Sequence, residues 1–303
     1  MSGRMGWNMG GVSLRHGLRF LLVGLALVTA APVLAAKPLK VFISVDMEGI
    51  TGVFDEREVA RADPKYGYEY FREVLTRETN AAIEGAFAAG ASEVLVREGH
   101  GGMNHLMLGL LDKRVRVVRG ATHPQSMMVM MEGFDASYDA VALIGYHARS
   151  GYPHSILPHT MSQNVVYFKI NGVPLSEASY NGLIAGLHDV PVVMLSGDKA
   201  ICEEVKQELG PGVETVAVKE ELNGGVITLH PEVAQDLIRE AVERGVRNRA
   251  NVRPYKIPGP YTAILKVAKP GPLMPGSYLN SNGEVEFKSP NLLQALNALV
   301  QMW

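Results

Sequence analysis

The 303-residue chain holds one cysteine, Cys202. It can form no internal disulfide and supply no thiolate-rich metal site, so any metal must be bound by Asp, Glu and His. Neither sign of charge is in excess, with 29 Lys and Arg against 31 Asp and Glu. That balance leaves no electrostatic footprint for nucleic acid or an anionic membrane, and neither is expected as a partner. Long apolar runs are equally scarce. The strongest, Phe20 to Val28, falls short of the roughly 20 residues that span a bilayer and is followed by Pro32. Internal repeats and low-complexity tracts are also missing.

What is present begins with a targeting pattern. Arg4, Arg15 and Arg19 precede the apolar run, and Val33-Leu34-Ala35 sets small residues where a signal peptidase reads. Residues 1–35 are read as a signal peptide cleaved after Ala35, and the mature chain as exported to the periplasm and free of the membrane. Loss of three arginines and no acids leaves 26 basic against 31 acidic residues, a formal charge of −5. The remaining 268 residues suffice for one large α/β domain or two small ones.

Periodicity divides that remainder. Val41 to Val45 is a buried strand. After a turn at Asp63 to Gly67, Tyr68 to Ala89 carries apolar residues at helical spacing, and Glu93 to Arg97 is a second strand. Strand, helix and strand make a right-handed βαβ unit with parallel strands. A short strand follows at Val115 to Val118, and Asp139 to Gly145 is apolar enough to be buried on both faces. Asn164 to Ile170, Asn171-Gly172 and Val173 form a hairpin, since Asn-Gly suits the positive φ angles of a two-residue turn. Next come a helix (178–187), a strand (190–195), a turn at Ser196-Gly197-Asp198 and a helix (200–209). Pro231 opens an amphipathic helix to Val242. From Asn251 proline and glycine become dense around one strand (261–267) and a closing helix (291–300). The expected fold is α/β, a mainly parallel sheet with helices on both faces over residues 36–250. A smaller C-terminal α+β subdomain, 251–303, packs on it.

The chemistry gathers where strands end, which is where open α/β sheets bind ligands. Asp46 and Glu48 are two apart, so both project to one side at the end of the first strand. Two adjacent carboxylates call for a cation, although Asp before Glu-Gly also fits a helix N-cap. Glu98-Gly99-His100-Gly101 follows the second strand, Gly145-Tyr146-His147-Ala148 the buried one, and Glu177 stands where hairpin meets helix. Three carboxylates and two imidazoles exceed the needs of one open four-coordinate zinc, but suit two metals if one carboxylate bridges. His159, in Pro158-His159-Thr160, is placed as a general acid/base or a stabiliser of developing charge.

The ordered set Ser44-x-Asp46-x-Glu48-Gly49-x-x-Gly52, Gly99-His100-Gly101 with Asn104, Ser126-Met127-Met128, Gly145-Tyr146-His147-Ala148, His159-Thr160, Asn171-Gly172 with Glu177, and Ser196-Gly197-Asp198 resembles the D-aminopeptidase family of zinc-dependent dipeptide-transport peptidases. The resemblance runs from about Lys40 to Lys219, and more loosely beyond. It implies a site of two divalent ions, zinc in the family, on Asp46, Glu48, His100, His147 and Glu177, with Asp46 as the bridge and His159 as the catalytic histidine. It further implies cleavage, by metal-activated water, of short peptides with an amino-terminal D-residue such as D-Ala-D-Ala. A ring-shaped homo-oligomer with sites facing an inner channel is also implied. One departure is Glu98, where the family carries Asp; if that carboxylate orients His100, an added methylene shifts the ring.

Alternatives to this reading are a metallophosphoesterase-like hydrolase, which lacks its usual Asn-His-Asp or Asn-His-Glu tripeptide here, and a periplasmic peptide- or metal-binding protein without chemistry. His105, His123, His188 and His230 have no partner at ligand spacing and read as structural, while His154 shares a loop with His159. Met127 to Met131 reads as core or subunit contact rather than a copper box. Arg97 and Arg149 flank the proposed ligands as possible forks for a substrate carboxylate. Asp198 reads most simply as a helix cap.

Overall fold

The computed structural model describes Asn8, Gly10, Gly11 and residues 37–61, 64–121 and 126–300. Apart from Asn8, Gly10 and Gly11, the expected signal segment with its cleavage point and His16 lies outside the described residues, as do Asp63 and His123. From Pro38 onward the chain forms one compact unit.

Seven strands make the main sheet: β1 (Lys40–Val45), β2 (Glu93–Glu98), β3 (Arg116–Val118), β4 (Ala140–Tyr146), and, beyond a hairpin described below, β7 (Val192–Asp198), β8 (Glu214–Leu222) and β9 (Gly225–Thr228). Their order is β3-β2-β1-β4-β7-β8-β9, and every pairing is parallel except β8 with β9. Every residue of β4 and β7 is buried, as expected of strands covered on both faces. Helix α1 (Glu56–Val59) is a single capped turn, and α2 (Tyr68–Ala88) returns the chain from β1 to β2. Helices α3 (Glu177–Leu187) and α4 (Lys199–Glu208) carry it in the opposite direction, from β4 to β7 and from β7 to β8. Right-handed crossovers running in opposite directions put their helices on opposite faces. Helix α5 (Pro231–Arg247) then packs beside α2. The expected α/β sheet with helices on both faces is the fold.

The second sheet is antiparallel. Its mid-chain part is the hairpin β5 (Val165–Ile170) and β6 (Val173–Pro174), joined at Asn171 (φ 50°) and Gly172 (φ 83°), both left-handed as that turn requires. Strands β10 (Tyr261–Val267), β11 (Tyr278–Leu279) and β12 (Val285–Ser289) come from the C-terminal region, and β10 pairs directly with β5. Helix α6 (Leu292–Val300) packs on this sheet. The C-terminal strands thus build one sheet together with residues 165–174.

One expectation is corrected. Ser196-Gly197-Asp198 is the end of β7, not a turn. A Cβ on Gly197 would come within 2.1 Å of the Tyr146 carbonyl oxygen, so this glycine serves a close approach to β4. Gly49 meets the same oxygen from the other side, at 1.8 Å for its ideal Cβ. Strand order reverses between β1 and β4, so a crevice opens beyond their carboxyl ends. These backbone contacts bring the ends of β1, β4 and β7 together at its floor.

Candidate metal centre

Asp46 follows β1 directly and starts no helix. Its Oδ1 accepts from the next backbone N–H, Met47, at 2.9 Å, which sets aside the helix-cap reading. Beside it stand Glu48, then His100 from the turn after β2, His147 after β4, Glu177 at the first position of α3 and His159 from the loop before β5. Ser176 caps α3, fixing the direction in which Glu177 leaves it. All six residues converge. Five of them line a cavity of about 260 Å³, and His147 is buried against them.

Each imidazole is held by a main-chain carbonyl. His100 Nε2 faces Val59 O at 3.1 Å, His147 Nδ1 faces Ala148 O at 3.0 Å, and His159 Nδ1 faces Leu157 O at 3.0 Å. A carbonyl only accepts, so each of these nitrogens carries the hydrogen and the opposite nitrogen is left to the cluster. His100 Nδ1 lies 2.8 Å from Glu48 and 3.6 Å from Asp46 Oδ1. His147 Nε2 lies 3.4 Å from Asp46 Oδ2 and 3.5 Å from Glu177, and His159 Nε2 lies 3.8 Å from Glu48 and 3.7 Å from Glu177.

In the neutral rings these are lone pairs aimed at carboxylate oxygens, acceptor against acceptor. Asp46 Oδ2 and His147 Nε2 are buried with no hydrogen-bond partner. Only a positive charge reconciles that arrangement. Protons are one form of it. Burial works against charge on His100 and His147, yet the carboxylates beside them, Glu48 and Glu177 foremost, raise both well above the usual imidazole range. Burial likewise pushes Asp46 upward, but hydrogen bonds with His100 and His147 override it and hold the carboxyl far below its ordinary value. A divalent cation is the other form, and the donor set fits it. Ligand atoms of Asp46, Glu48 and His147 lie within 4.8 Å of one another, and so do those of His147, His159 and Glu177.

The remaining candidates separate. Glu98 does not touch His100; it accepts from the His105 backbone N–H at 2.5 Å and from Arg119 Nε at 2.6 Å. The proposed Glu98 to His100 contact is corrected accordingly, with the Val59 carbonyl in that place. Arg97 is buried and donates to Val129 O and Gly120 O, each at 3.1 Å, so it is a wall brace and not a substrate fork. Arg149 pairs with Glu204 at 3.1 Å. The His154 side chain is 84% exposed beside Glu221 and away from the cluster. Asp198 caps α4 through Ile201 N at 2.9 Å. His105 bonds Tyr68, His188 packs edge-on to Phe134, and His230 caps α5.

Lys219, on β8, is a functional neighbour that sequence reasoning missed. It is buried, and its ammonium donates to the carbonyls of Glu48 and Val53, tying down the loop that carries two of the carboxylates. By strand alternation Lys219 shares a face with the exposed Ala217 and not with the buried Val216 and Val218, so the sequence held no signal for its burial.

A switch-point cluster of carboxylates and carbonyl-oriented imidazoles on an open α/β sheet defines a metal-dependent hydrolase. The D-aminopeptidase family model matches residues 39–300, and the chain belongs to that family; it is an enzyme of the metallo-aminopeptidase type. A curated relative, the D-aminopeptidase of Bacillus subtilis (strain 168), is 34% identical over 271 residues, covering 87% of this chain and 96% of its own. Among solved structures, the Zn-dependent D-aminopeptidase DppA from Bacillus subtilis, described as a self-compartmentalizing protease, superposes with a TM-score of 0.80. It is 32% identical, over 86% of this chain and 96% of that one.

Proposed function

We propose that this chain is a two-metal aminopeptidase that hydrolyses short peptides with an amino-terminal D-residue, such as D-Ala-D-Ala. The observation that carries the reading is the set of imidazoles whose free nitrogens are aimed by backbone carbonyls at buried carboxylates. Asp46, Glu48, His100, His147 and Glu177 would hold the ions, and the solved relative is Zn-dependent. Asp46 would be shared between the two ions, since its Oδ1 faces His100 and its Oδ2 faces His147.

Divalent ions held there would supply polarisation of the scissile carbonyl and acidification of the attacking water. His159 serves the proton transfers. Its Nδ1–H is fixed on Leu157 O, its Nε2 faces the cavity, and its side chain is 13% exposed where that of His147 is 1%. Lys219 steadies the Glu48 backbone, and the buried walls limit water around the reacting groups.

The basic start, the apolar run and the small residues at 33–35 support export to the periplasm with cleavage after Ala35. The relative's self-compartmentalizing description supports a ring-shaped homo-oligomer whose sites face an inner channel. The test is an assay of purified protein against matched D- and L-dipeptides, with zinc and with chelator. Hydrolysis restricted to D-dipeptides and lost to chelator is the expected result; hydrolysis of L-dipeptides alone, or indifference to chelator, overturns the reading. Amino-terminal sequencing of the exported protein checks the cleavage point.

A further inference from the structure

The turn that follows His159 runs against the conformational preference of its residues. Ser162 N–H donates to Thr160 O at 2.7 Å, closing a turn of three residues, and Met161 at its centre stands at φ 63°. This is the rare, strained hand of the γ-turn, which a residue other than glycine keeps only where its surroundings impose it. They do so on both sides. Before the turn, the buried Thr160 hydroxyl donates to Leu175 O at 3.4 Å and accepts from Ser150 N–H at 3.3 Å. After it, Ser162 accepts Asn164 N–H on its hydroxyl at 3.2 Å and Val165 N–H on its carbonyl at 3.0 Å.

The strained residue presents a main-chain group to the metal centre. Met161 N–H donates to Glu177 Oε1 at 2.5 Å, the same oxygen that His147 Nε2 and His159 Nε2 face at 3.5 and 3.7 Å. Ser176 sets where Glu177 leaves α3, and this N–H sets where its carboxylate comes to rest. Leu157, on the other side of His159, is also left-handed, at φ 53°, and its carbonyl is the one that holds His159 Nδ1. Two unfavourable conformations thus flank His159, and each aims one backbone group at the cluster.

We propose that Met161 is a positioning residue whose left-handed backbone, and not its side chain, aims the N–H that holds Glu177 ready to take a metal ion. This rests on the reading above in taking Glu177 for a ligand. The test uses substitutions in which φ preference and side-chain likeness rank in opposite orders. Glycine and asparagine accept left-handed φ but resemble methionine little. Isoleucine is apolar and of similar size, yet its branched Cβ resists that conformation. Full chains of wild type, Met161→Gly, Met161→Asn and Met161→Ile are stripped of metal and checked for folding by circular dichroism. Each is then titrated with zinc in competition with a chromogenic chelator, and hydrolysis of D-Ala-D-Ala and L-Ala-L-Ala is followed alongside.

Met161→Gly and Met161→Asn are expected to bind zinc as wild type does, and Met161→Ile to bind it about 10–100-fold more weakly, the usual cost of losing a partner behind a metal ligand. Weakened binding by Met161→Gly and Met161→Asn would assign the role to the methionine side chain and overturn the proposal. Equal zinc binding in every form also overturns it, and a rate that falls in Met161→Ile alone would then place the turn's effect on His159. If Met161→Ile does not fold, the other two variants decide on the same terms. A wild type that binds zinc but cleaves neither dipeptide overturns the aminopeptidase reading and leaves the comparison of zinc affinities to judge the turn; a wild type that binds no zinc overturns both.

Discussion

The imidazoles of His147 and His159 lie stacked, with ring centroids 4.0 Å apart and planes 13° from parallel, and both turn Nε2 toward the same Glu177 oxygen. One ring is buried and the other borders the cavity. In the proposed mechanism the two stacked rings take different tasks, His147 as a metal ligand and His159 as the group that exchanges a proton with substrate.

His159→Ala is expected to keep zinc stoichiometry and lower kcat by about 10²–10⁴-fold, the usual contribution of a positioned acid or base. His147→Ala is expected to lose metal as well as rate. Metal analysis beside steady-state kinetics on the two variants checks the division. Loss of zinc from His159→Ala would make that ring a ligand.

Glu98→Asp installs the residue type that the resemblance implies at this position, yet the geometry predicts no gain. Glu98 holds the His105 N–H and Arg119 rather than His100. The shorter side chain is expected to lower stability by about 1 kcal/mol, the worth of a weakened buried hydrogen bond, and to leave zinc content unchanged. Thermal unfolding and metal analysis of the variant check both parts.

The fold was largely legible in the sequence because its parallel strands are apolar on both faces and its helices keep one periodicity. Asn171-Gly172 was readable since the two-residue turn demands left-handed φ at both positions. Strands β8 and β9 were not. Glu214–Leu222 carries Lys219, Glu220 and Glu221, which read as solvent-facing, whereas the Lys219 ammonium is caged by carbonyl oxygens. The glycine at 197 signalled a turn, but was required by the nearby Tyr146 carbonyl, a constraint that only tertiary structure reveals. In the site, ligand types at strand ends could be found because open sheets bind ligands there. The carbonyls of Val59, Ala148 and Leu157 that fix the imidazoles could not, since a main-chain partner leaves no mark on residue identity.

Stability is expected to depend on pH through Glu208. Burial, and then the neighbouring carboxyl of Glu204, raises it from 4.5 to about 8. The folded state thus binds this proton more tightly than the unfolded chain. Its contribution is fully present below pH 4.5 and lost as pH rises to about 8. Glu208→Gln, which cannot ionise, is expected to remove on the order of 3 kcal/mol of that decline. Urea unfolding of wild type and variant at pH 4.5 and 8 measures it; parallel pH profiles would contradict the assignment.

The most direct test of the two-metal D-aminopeptidase is to titrate metal-free protein with zinc while following hydrolysis of D-Ala-D-Ala and L-Ala-L-Ala. Activity on the D-dipeptide alone, rising to a plateau at two equivalents of zinc per chain, is the predicted result. Full activity without zinc, a plateau at one equivalent, or cleavage of the L-dipeptide alone would contradict it.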